Sequence, residues 1–254
     1  MSEYYTGKRT RDLFDPNGDT LQKLSRSKID NFIKCPRCFY IDIRLGVGQP
    51  PGYPFTLNSA VDHLLKKEFD VHRANGTPHP LMSAYKIDAV PYPHDDLETW
   101  RNARTGIQYI DPVTNLKIYG GIDDLWINPK GELMIVDYKA TSKEKEVTLD
   151  AAWQDGYKRQ VEIYQWLFRK NGFEVSDTTY FVYCNGKKDV AAFDGKLEFD
   201  IKVIPYIGKT DWIDGTLVKI KECLMSDQIP DPDPDCDFCK YRYAVNQVTE
   251  DHQK

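Results

Sequence analysis

The chain has 254 residues, of which 41% are hydrophobic and 13% aromatic, so it can bury a substantial core and is not disordered along its length. Its formal net charge of −5 does not indicate a nucleic-acid-binding protein, although bound divalent cations would reverse the field of an acidic site locally. No apolar run approaches the roughly 20 residues needed to cross a bilayer, and the first residues lack the apolar core of a signal peptide. We therefore expect a cytoplasmic protein with no membrane partner.

The first half of the chain is predicted to contain two helices and two polar segments. Residues 1–25 are polar and are predicted to be loosely ordered, and a short helix is predicted over 27–32. A longer helix is predicted over 56–71, because its apolar residues follow helical spacing: Leu57, Ala60, Val61, Leu64, Leu65 and Phe69. Residues 75–105 carry prolines and polar residues and are predicted to form a surface insertion.

The second half predicts an α/β pattern. Strands are predicted over 117–127 and 132–140, then a helix over 150–170, strands over 178–184 and 197–204, and a helix over 211–226. One face of the 150–170 helix carries Trp153, Tyr157, Gln160, Tyr164 and Leu167. This order predicts a central mixed β-sheet flanked by helices.

The turn between the first two strands, residues 128–131, sets their pairing. Asn-Pro-Lys-Gly suits a type I turn followed by a left-handed Gly131, which makes a three-residue hairpin loop with a bulge. In that register Asp123 lies opposite Asp137, and Lys139 projects from the same face as Asp137. A two-residue loop would instead place Asp123 opposite Val136.

Two opposed carboxylates beside the apolar run 133–136 are costly unless a cation or a shared proton lies between them. A divalent ion such as Mg²⁺ resolves that cost, since it binds one or two carboxylates together with water and phosphate oxygens. A lysine at the rim could then orient a water beside a phosphate, which predicts phosphodiester hydrolysis. The simpler alternative is an ordinary Asp137–Lys139 ion pair with Asp123 facing solvent.

Four motifs together resemble the PD-(D/E)XK nucleases of the RecB-like, CRISPR-associated type. Gly120-Gly-Ile-Asp-Asp124 and Ile135-Val-Asp-Tyr-Lys139 resemble the paired catalytic motifs, and Gln160-Val-Glu-Ile-Tyr164 resembles the QxxxY helix. Upstream, Asn58-Ser-Ala-Val-Asp-His63 resembles the helix that supplies a metal-binding histidine, although an Asn stands at position 58 where a Gly is common.

The resemblance implies a restriction-endonuclease-like core over residues 26–243, with 244–254 as a C-terminal tail. It implies Mg²⁺ or Mn²⁺ held by Asp123 and Asp137 with His63 as a further ligand, Lys139 as the catalytic lysine, and Gln160 and Tyr164 at the active site. Asp123 is preferred to Asp124 because the family aspartate follows Gly-x-Ile, and the hairpin register selects the same residue.

Two CxxC pairs, Cys35/Cys38 and Cys236/Cys239, predict a four-cysteine metal site that joins the two ends of the domain. Such a site suits Zn²⁺ or an iron–sulfur cluster. The related nucleases carry a [4Fe–4S] cluster with one cysteine before the core and three after it, whereas this chain has two and two. Zinc and [4Fe–4S] therefore both stay open.

The sequence thus predicts a metal-dependent DNA nuclease with exonuclease or end-processing activity on single strands or duplex ends, with a protein partner in a repair or CRISPR-type complex. The alternatives are a nucleic-acid-binding module without catalysis, and a zinc or iron–sulfur protein whose nuclease-like core is a scaffold. Cleavage polarity, DNA against RNA, and oligomeric state are not determined by the sequence.

Overall fold

The computed structural model describes residues 7–50, 52 and 56–252. In its first half it contains β1 (Gln22–Ser25), α1 (Arg26–Lys34), α2 (Pro36–Ile43), α3 (Thr56–Asn75), α4 (Pro80–Ala84), β2 (Val90–Pro91), α5 (Leu97–Arg101), β3 (Ile107–Asp111) and β4 (Leu116–Gly120). The second half contains β5 (Asp124–Ile127), β6 (Leu133–Thr141), α6 (Asp155–Lys170), β7 (Thr178–Gly186), β8 (Phe199–Ile207), α7 (Asp211–Met225) and α8 (Asp237–His252). A single 3₁₀ turn, Ala152–Gln154, precedes α6.

The chain forms two compact units. One comprises Met1–Tyr53, Ile110–Ile118 and Asp211–Lys254, and the other comprises Pro54–Tyr109 and Tyr119–Thr210. We call them the terminal unit and the central unit. Within the described residues no helix is both long and apolar enough to span a membrane.

The central unit is built on a five-stranded mixed sheet in the order β2-β5-β6-β7-β8. Its strands pair antiparallel except for β6 and β7, which are parallel and are connected through α6. A parallel pair needs such a long crossover, because a tight turn can join only antiparallel strands. This confirms the predicted α/β class with a central mixed sheet and flanking helices.

The middle strand β6 is covered on both faces, which explains its apolar run. Phe69 of α3 packs in a buried cluster with Trp126, Val136 and Tyr138 on one face. Helix α6 packs against β6 and buries nearly every side chain from Gln160 to Phe168. The first residue of the apolar stripe predicted over 150–170 is not buried, however. Trp153 lies in the 3₁₀ turn before α6, and its side chain is 57% exposed.

The β5–β6 hairpin has the register that its turn predicts. Asp124 pairs with Val136 and Ile127 with Leu133, so Asp123 and Asp137 come next in the same register. Gly131 adopts a φ of 82°, its N–H donates to Asn128 O, and Asn128 N–H donates to Glu132 O. The left-handed residue is tolerated because glycine has no Cβ.

The predicted strand 117–127 is wrong in one respect, because it is two strands separated at residues 121–123. At the break, Ile122 N–H donates to Trp100 O rather than to a neighbouring strand. A Cβ on Gly121 would lie 3.0 Å from Ala103 Cα, so glycine permits the close approach that turns the chain. The break leaves Asp123 just outside the ladder, at the entrance to β5.

Residues 75–105 are not the predicted surface insertion. They contribute β2 to the edge of the sheet, and Met82 and Trp100 are buried. His79 caps α4 by accepting from Leu81 N–H, and its ring stacks on Phe69. Prolines and polar side chains concealed these contacts, since they are typical of loops as well as of caps and edge strands.

The terminal unit contains β1, α1, α2, α7 and α8 together with the excursion 110–118. Residues 7–25, predicted to be loose, are fixed in place: Leu24 and Phe14 are buried, and Arg9 binds the buried Asp42 at 3.0 Å. Residues 244–252, predicted as a tail, continue the exposed helix α8. The predictions for residues 1–6, 253 and 254 lie outside the described residues.

Candidate active site and four-cysteine site

Asp137 and Lys139 lie on β6, two residues apart, and therefore project from the same face of the sheet. The Asp137 side chain is 1% exposed and forms an ion pair with the Lys139 ammonium group. The Lys139 Nζ atom also lies 4.6 Å from the centre of the Tyr157 ring on α6, a cation–π distance. Lys139 is thus held between a carboxylate and an aromatic face.

Asp123 reaches β6 from the break before β5. Its Oδ2 accepts a hydrogen bond of 2.8 Å from Tyr138 N–H, the amide between Asp137 and Lys139. Its Oδ1 lies 3.6 Å from the Lys66 Nζ of α3. The structure therefore brings Asp123 to the strand that carries Asp137 and Lys139, as the register predicts.

The neighbouring Asp124 points the other way, into the core. It is fully buried, forms ion pairs with Arg73 and Arg101, and accepts a hydrogen bond of 2.7 Å from the Tyr138 hydroxyl. Burial and the charge of Asp124 raise the pKa of Tyr138 well above its ordinary value. Asp124 is committed to these structural contacts, and Asp123 is the aspartate of the pair that faces the site.

Asp62 on α3 joins this group although sequence reasoning passed over it. Its carboxylate lies 2.8 Å from Lys66 Nζ, which places Lys66 between Asp62 and Asp123. Burial and then the Asp123 charge raise the pKa of Asp62, with Lys66 and Lys139 partly offsetting them. The available signal was helical phase: at about 100° per residue, Asp62 lies only about 20° around the axis from the buried Phe69.

His63 occupies a different side of α3. It lies about 120° around the helix from Phe69, and its side chain is exposed. Asn58, one turn earlier, donates to Ala140 O at 3.1 Å and fastens the start of α3 to the end of β6. The structure brings Asp62, rather than His63, toward Asp123.

Gln160 and Tyr164 are both buried on α6, and Gln160 Nε2 donates to the Tyr164 hydroxyl at 3.2 Å. The partner that the buried Gln160 amide requires is thus its own QxxxY tyrosine. Gln154 is a further buried amide; its Nε2 donates to Thr148 O and to the Tyr183 hydroxyl, the latter at 3.3 Å. Tyr183 pairs with Lys139 across the β6–β7 ladder.

The donor set suits a hard divalent cation. Asp62, Asp123 and Asp137 supply carboxylate oxygens, the ligands that Mg²⁺ and Mn²⁺ prefer. Within the described chain, the only group of three or more acidic, His or Cys ligand atoms lying within 4.8 Å of one another is formed by the cysteines. The three aspartates do not form such a group; Lys66 lies close to Asp62 and Asp123, and Lys139 forms an ion pair with Asp137.

The four cysteines converge in the terminal unit. The Sγ atoms are 3.8 Å apart for Cys35 and Cys239, 3.6 Å for Cys38 and Cys236, and 3.5 Å for Cys38 and Cys239. All four lie within 4.8 Å of one another, and none forms a disulfide. The cluster joins segments near the two ends of the chain, as predicted, and it could bind a metal.

Each CxxC pair lies at the start of a helix. Cys35 directly precedes α2, and Cys236 directly precedes α8, while Cys38 and Cys239 lie in the first turns. Helix N-termini carry partial positive charge and stabilise nearby anions. Burial nevertheless raises the pKa of Cys38 well above its ordinary value and that of Cys239 to about 11, whereas for Cys35 burial is outweighed by backbone hydrogen bonds, which lower the pKa. A metal that binds all four would therefore displace the protons of Cys38 and Cys239.

The fold and the site define an α/β protein whose central hairpin carries two aspartates and a lysine. The sequence profile of the PD-(D/E)XK nuclease superfamily matches residues 23–244, and the chain belongs to this superfamily. One solved structure, titled "Crystal structure of SSO0001", is 15% identical and aligns over 85% of this chain and 81% of its own, with a TM-score of 0.36. No curated protein matches the chain significantly.

Proposed function

We propose that the protein is a metal-dependent DNA nuclease that hydrolyses phosphodiester bonds by exonucleolytic or end-processing cleavage. The observation that carries this proposal is the meeting of Asp123 with the Asp137–Lys139 pair at one point of the β5–β6 hairpin. Membership of the nuclease superfamily supports it independently of that geometry.

Asp123 and Asp137 are the proposed ligands of Mg²⁺ or Mn²⁺, with Asp62 beside them. Three carboxylates face the two ammonium groups of Lys66 and Lys139, which leaves one net negative charge when all are ionised. A bound divalent ion reverses that sign to positive, and a positive site attracts a phosphodiester. When bound, such an ion polarises the phosphoryl oxygen and activates water.

Lys139 is the proposed catalytic lysine. Its ammonium group forms an ion pair with Asp137 and lies over the Tyr157 ring, and these contacts fix its position. An ammonium group has three donors and no acceptor, so Lys139 can orient a water or hold a phosphate oxygen but cannot accept a proton while charged. Its role is therefore electrostatic and positional.

Three further assignments stay predictions. The assignment of Gln160 and Tyr164 to the active site concerns a buried pair on α6 that is hydrogen-bonded to each other. The exposed His63 side chain would have to turn toward the carboxylates to act as a metal ligand. A protein partner in a repair or CRISPR-type complex also stays a prediction.

For the four cysteines we propose a mononuclear Zn²⁺ site. A tetrahedral ion with Zn–S bonds of about 2.3 Å places its sulfurs about 3.8 Å apart. The three Sγ separations of 3.5–3.8 Å fit that tetrahedron. A [4Fe–4S] cluster binds each thiolate at a separate iron corner and needs the sulfurs much farther apart. Metal analysis and a UV–visible spectrum of anaerobically purified protein test this proposal. A brown sample that absorbs at about 400 nm would overturn the zinc proposal.

Nuclease activity is tested with end-labelled single strands, linear duplexes and covalently closed circles, in Mg²⁺, Mn²⁺ or EDTA. We expect metal-dependent loss of linear substrates, with circles resistant if ends are required. Lys139→Ala and Asp137→Asn should abolish cleavage. Lys130→Ala should not, because Lys130 is exposed in the turn of the same hairpin. Equal rates in wild type and Lys139→Ala on every substrate would refute the enzymatic proposal.

A further inference from the structure

A row of two aromatic rings with a lysine at each end leads outward from the candidate site. Lys139 Nζ lies 4.6 Å from the Tyr157 ring centre, Tyr157 packs edge-on against Trp153 at 5.6 Å, and Lys143 Nζ lies 4.6 Å from the Trp153 ring centre. All four residues belong to the central unit, between the end of β6 and the start of α6.

Trp153 is unusually open for a tryptophan of this chain. It is 57% exposed, whereas Trp100, Trp126 and Trp166 are each no more than 7% exposed. An indole ring buries a large apolar area when it is covered, so leaving it in water forgoes stabilisation that the other three gain. Apart from its contacts with Tyr157 and Lys143, more than half of this side chain stays open to solvent and is available to a ligand.

We propose that Trp153 is a stacking platform for an unpaired base of single-stranded DNA, with Lys143 binding the backbone beside it. This inference rests on the proposed nuclease function, because it takes the strand to run from the carboxylates past Lys139 to Trp153. Proteins that bind single strands combine aromatic faces with cationic side chains in this way. The open part of the ring accepts a base, with Lys143 beside it and Lys139 on the far side of Tyr157.

The geometry favours an unpaired strand over duplex DNA. In a duplex each base is already stacked on its neighbours and paired, so its face is not available to an indole. The contacts of 4.6 Å and 5.6 Å that link Lys139, Tyr157 and Trp153 place the ring about one or two nucleotides from a phosphate held at Lys139. The platform therefore selects a frayed or single-stranded end and delivers its phosphate to the site.

Binding is measured without added Mg²⁺ or Mn²⁺, so that no cleavage occurs and the proposed zinc is kept, by tryptophan fluorescence and anisotropy with a dT oligonucleotide. We expect the oligonucleotide to quench wild-type fluorescence. Trp153→Leu should remove most of that quenching and weaken binding on the order of tenfold, the size expected for loss of one stacked base. Trp153→Phe should retain most of the affinity. An abasic oligonucleotide, which keeps the phosphates, should bind wild type and Trp153→Leu equally.

Phe193→Leu is the matched control, since Phe193 is 70% exposed in the β7–β8 connection of the same unit and lies outside the row. Affinity for dT that is unchanged in Trp153→Leu, or lowered equally in Phe193→Leu, overturns the inference. Cleavage assays separate the two proposals. Metal-dependent cleavage that is indifferent to Trp153 leaves the nuclease and removes the platform. Trp153-dependent binding without any cleavage leaves the platform and removes the nuclease.

Discussion

At the level of single residues, the neighbouring Asp123 and Asp124 show how one peptide bond separates two roles. Asp124 is fully buried and satisfied by two arginines, a tyrosine hydroxyl and the Leu125 amide. Asp123 precedes the ladder and contacts the Tyr138 amide and Lys66. The interruption between β4 and β5 at residues 121–123 therefore decides which of the two carboxylates faces the site.

We predict opposite effects for substitutions at these two positions. Asp123→Asn should lower cleavage by more than about 100-fold, since even groups that only support a metal ligand typically contribute 10–100-fold. It should leave the free energy of unfolding nearly unchanged. Asp124→Ala should destabilise the fold by about 3–5 kcal/mol, because it leaves two buried arginines without their shared carboxylate.

Urea unfolding and cleavage rates, measured on both variants, check this. A stable but inactive Asp124→Ala together with an active Asp123→Asn would exchange the two assignments.

A second prediction concerns α3. Asp62→Asn should raise the Mg²⁺ concentration needed for half-maximal cleavage on the order of tenfold, because it removes a carboxylate next to Asp123. His63→Ala should have a smaller effect, since His63 is exposed. Titrations of activity with Mg²⁺ and of Mn²⁺ binding by calorimetry measure both. A larger effect of His63→Ala would restore the histidine as the α3 ligand.

At the level of elements, an ion-pair network fastens α3, α5 and β5 together behind the site. Asp70 on α3 accepts from Arg73 at 3.0 Å and from Arg101 of α5 at 2.8 Å, and both arginines also bind Asp124. Arg101 further donates to Asp123 O. The network therefore holds the backbone that presents Asp123.

The Asp70 pKa gives this network a pH signature. Burial raises the pKa of Asp70, but hydrogen bonds and charges of Arg101 and Arg73 outweigh it, so the net pKa lies below its ordinary value of about 3.9. A lowered pKa in the folded state stabilises the fold above the unfolded pKa and is lost as pH falls through the folded pKa. Wild type should therefore exceed Asp70→Asn in stability above about pH 4, and the difference should shrink below it.

Urea unfolding at several pH values from neutral to acidic measures this difference. Glu98→Gln is the control, because Glu98 is a largely exposed partner of the same Arg101. A stability gap between wild type and Asp70→Asn that does not change with pH would exclude the network as its source.

The sequence predicts the elements well where local chemistry decides them. The Asn128–Gly131 turn predicted the β5–β6 register, and the order of strands and helices predicted the mixed sheet. It fails where distant contacts decide. The stripe that predicted α3 includes Leu57 and Leu64, which are 59% and 62% exposed. The buried face of α3 is instead the one that carries Phe69.

The same limit explains the segment 75–105 and the QxxxY helix. Met82 and Trp100 become core residues only through partners far along the chain, which no local pattern reveals. Trp153 follows the spacing of the buried stripe, yet it lies in the 3₁₀ turn before α6 and is 57% exposed. Periodicity predicts which face of a helix is buried, but it does not predict how many turns of that face are covered by other residues.

At the level of the whole molecule, the two CxxC pairs predicted that segments near the two ends of the chain meet, whereas no pattern predicted that residues 110–118 belong with them. The terminal unit takes its residues from three stretches of the chain. The cysteines indicate the link between its first and last stretches, because both CxxC pairs form one cluster.

We predict that the terminal unit depends on its metal. Cys239→Ser should abolish stoichiometric zinc and lower the melting temperature, because structural zinc binding supplies about 10–16 kcal/mol of apparent free energy in small sites. Cys223→Ser, a half-buried cysteine of α7 outside the cluster, should keep both. Inductively coupled plasma analysis and thermal melts compare the variants. A Cys239→Ser protein that still binds one zinc ion would contradict the four-cysteine site.

The separation of 204 residues between Cys35 and Cys239 also orders events on the ribosome. The second cysteine pair is synthesised long after the first, and residues 54–210 emerge from the ribosome before it does. The sheet can therefore form first, while the terminal segments must wait to be joined across a long loop whose closure is entropically costly. A nascent chain halted before residue 236 would carry a finished hairpin and an open pair of thiols.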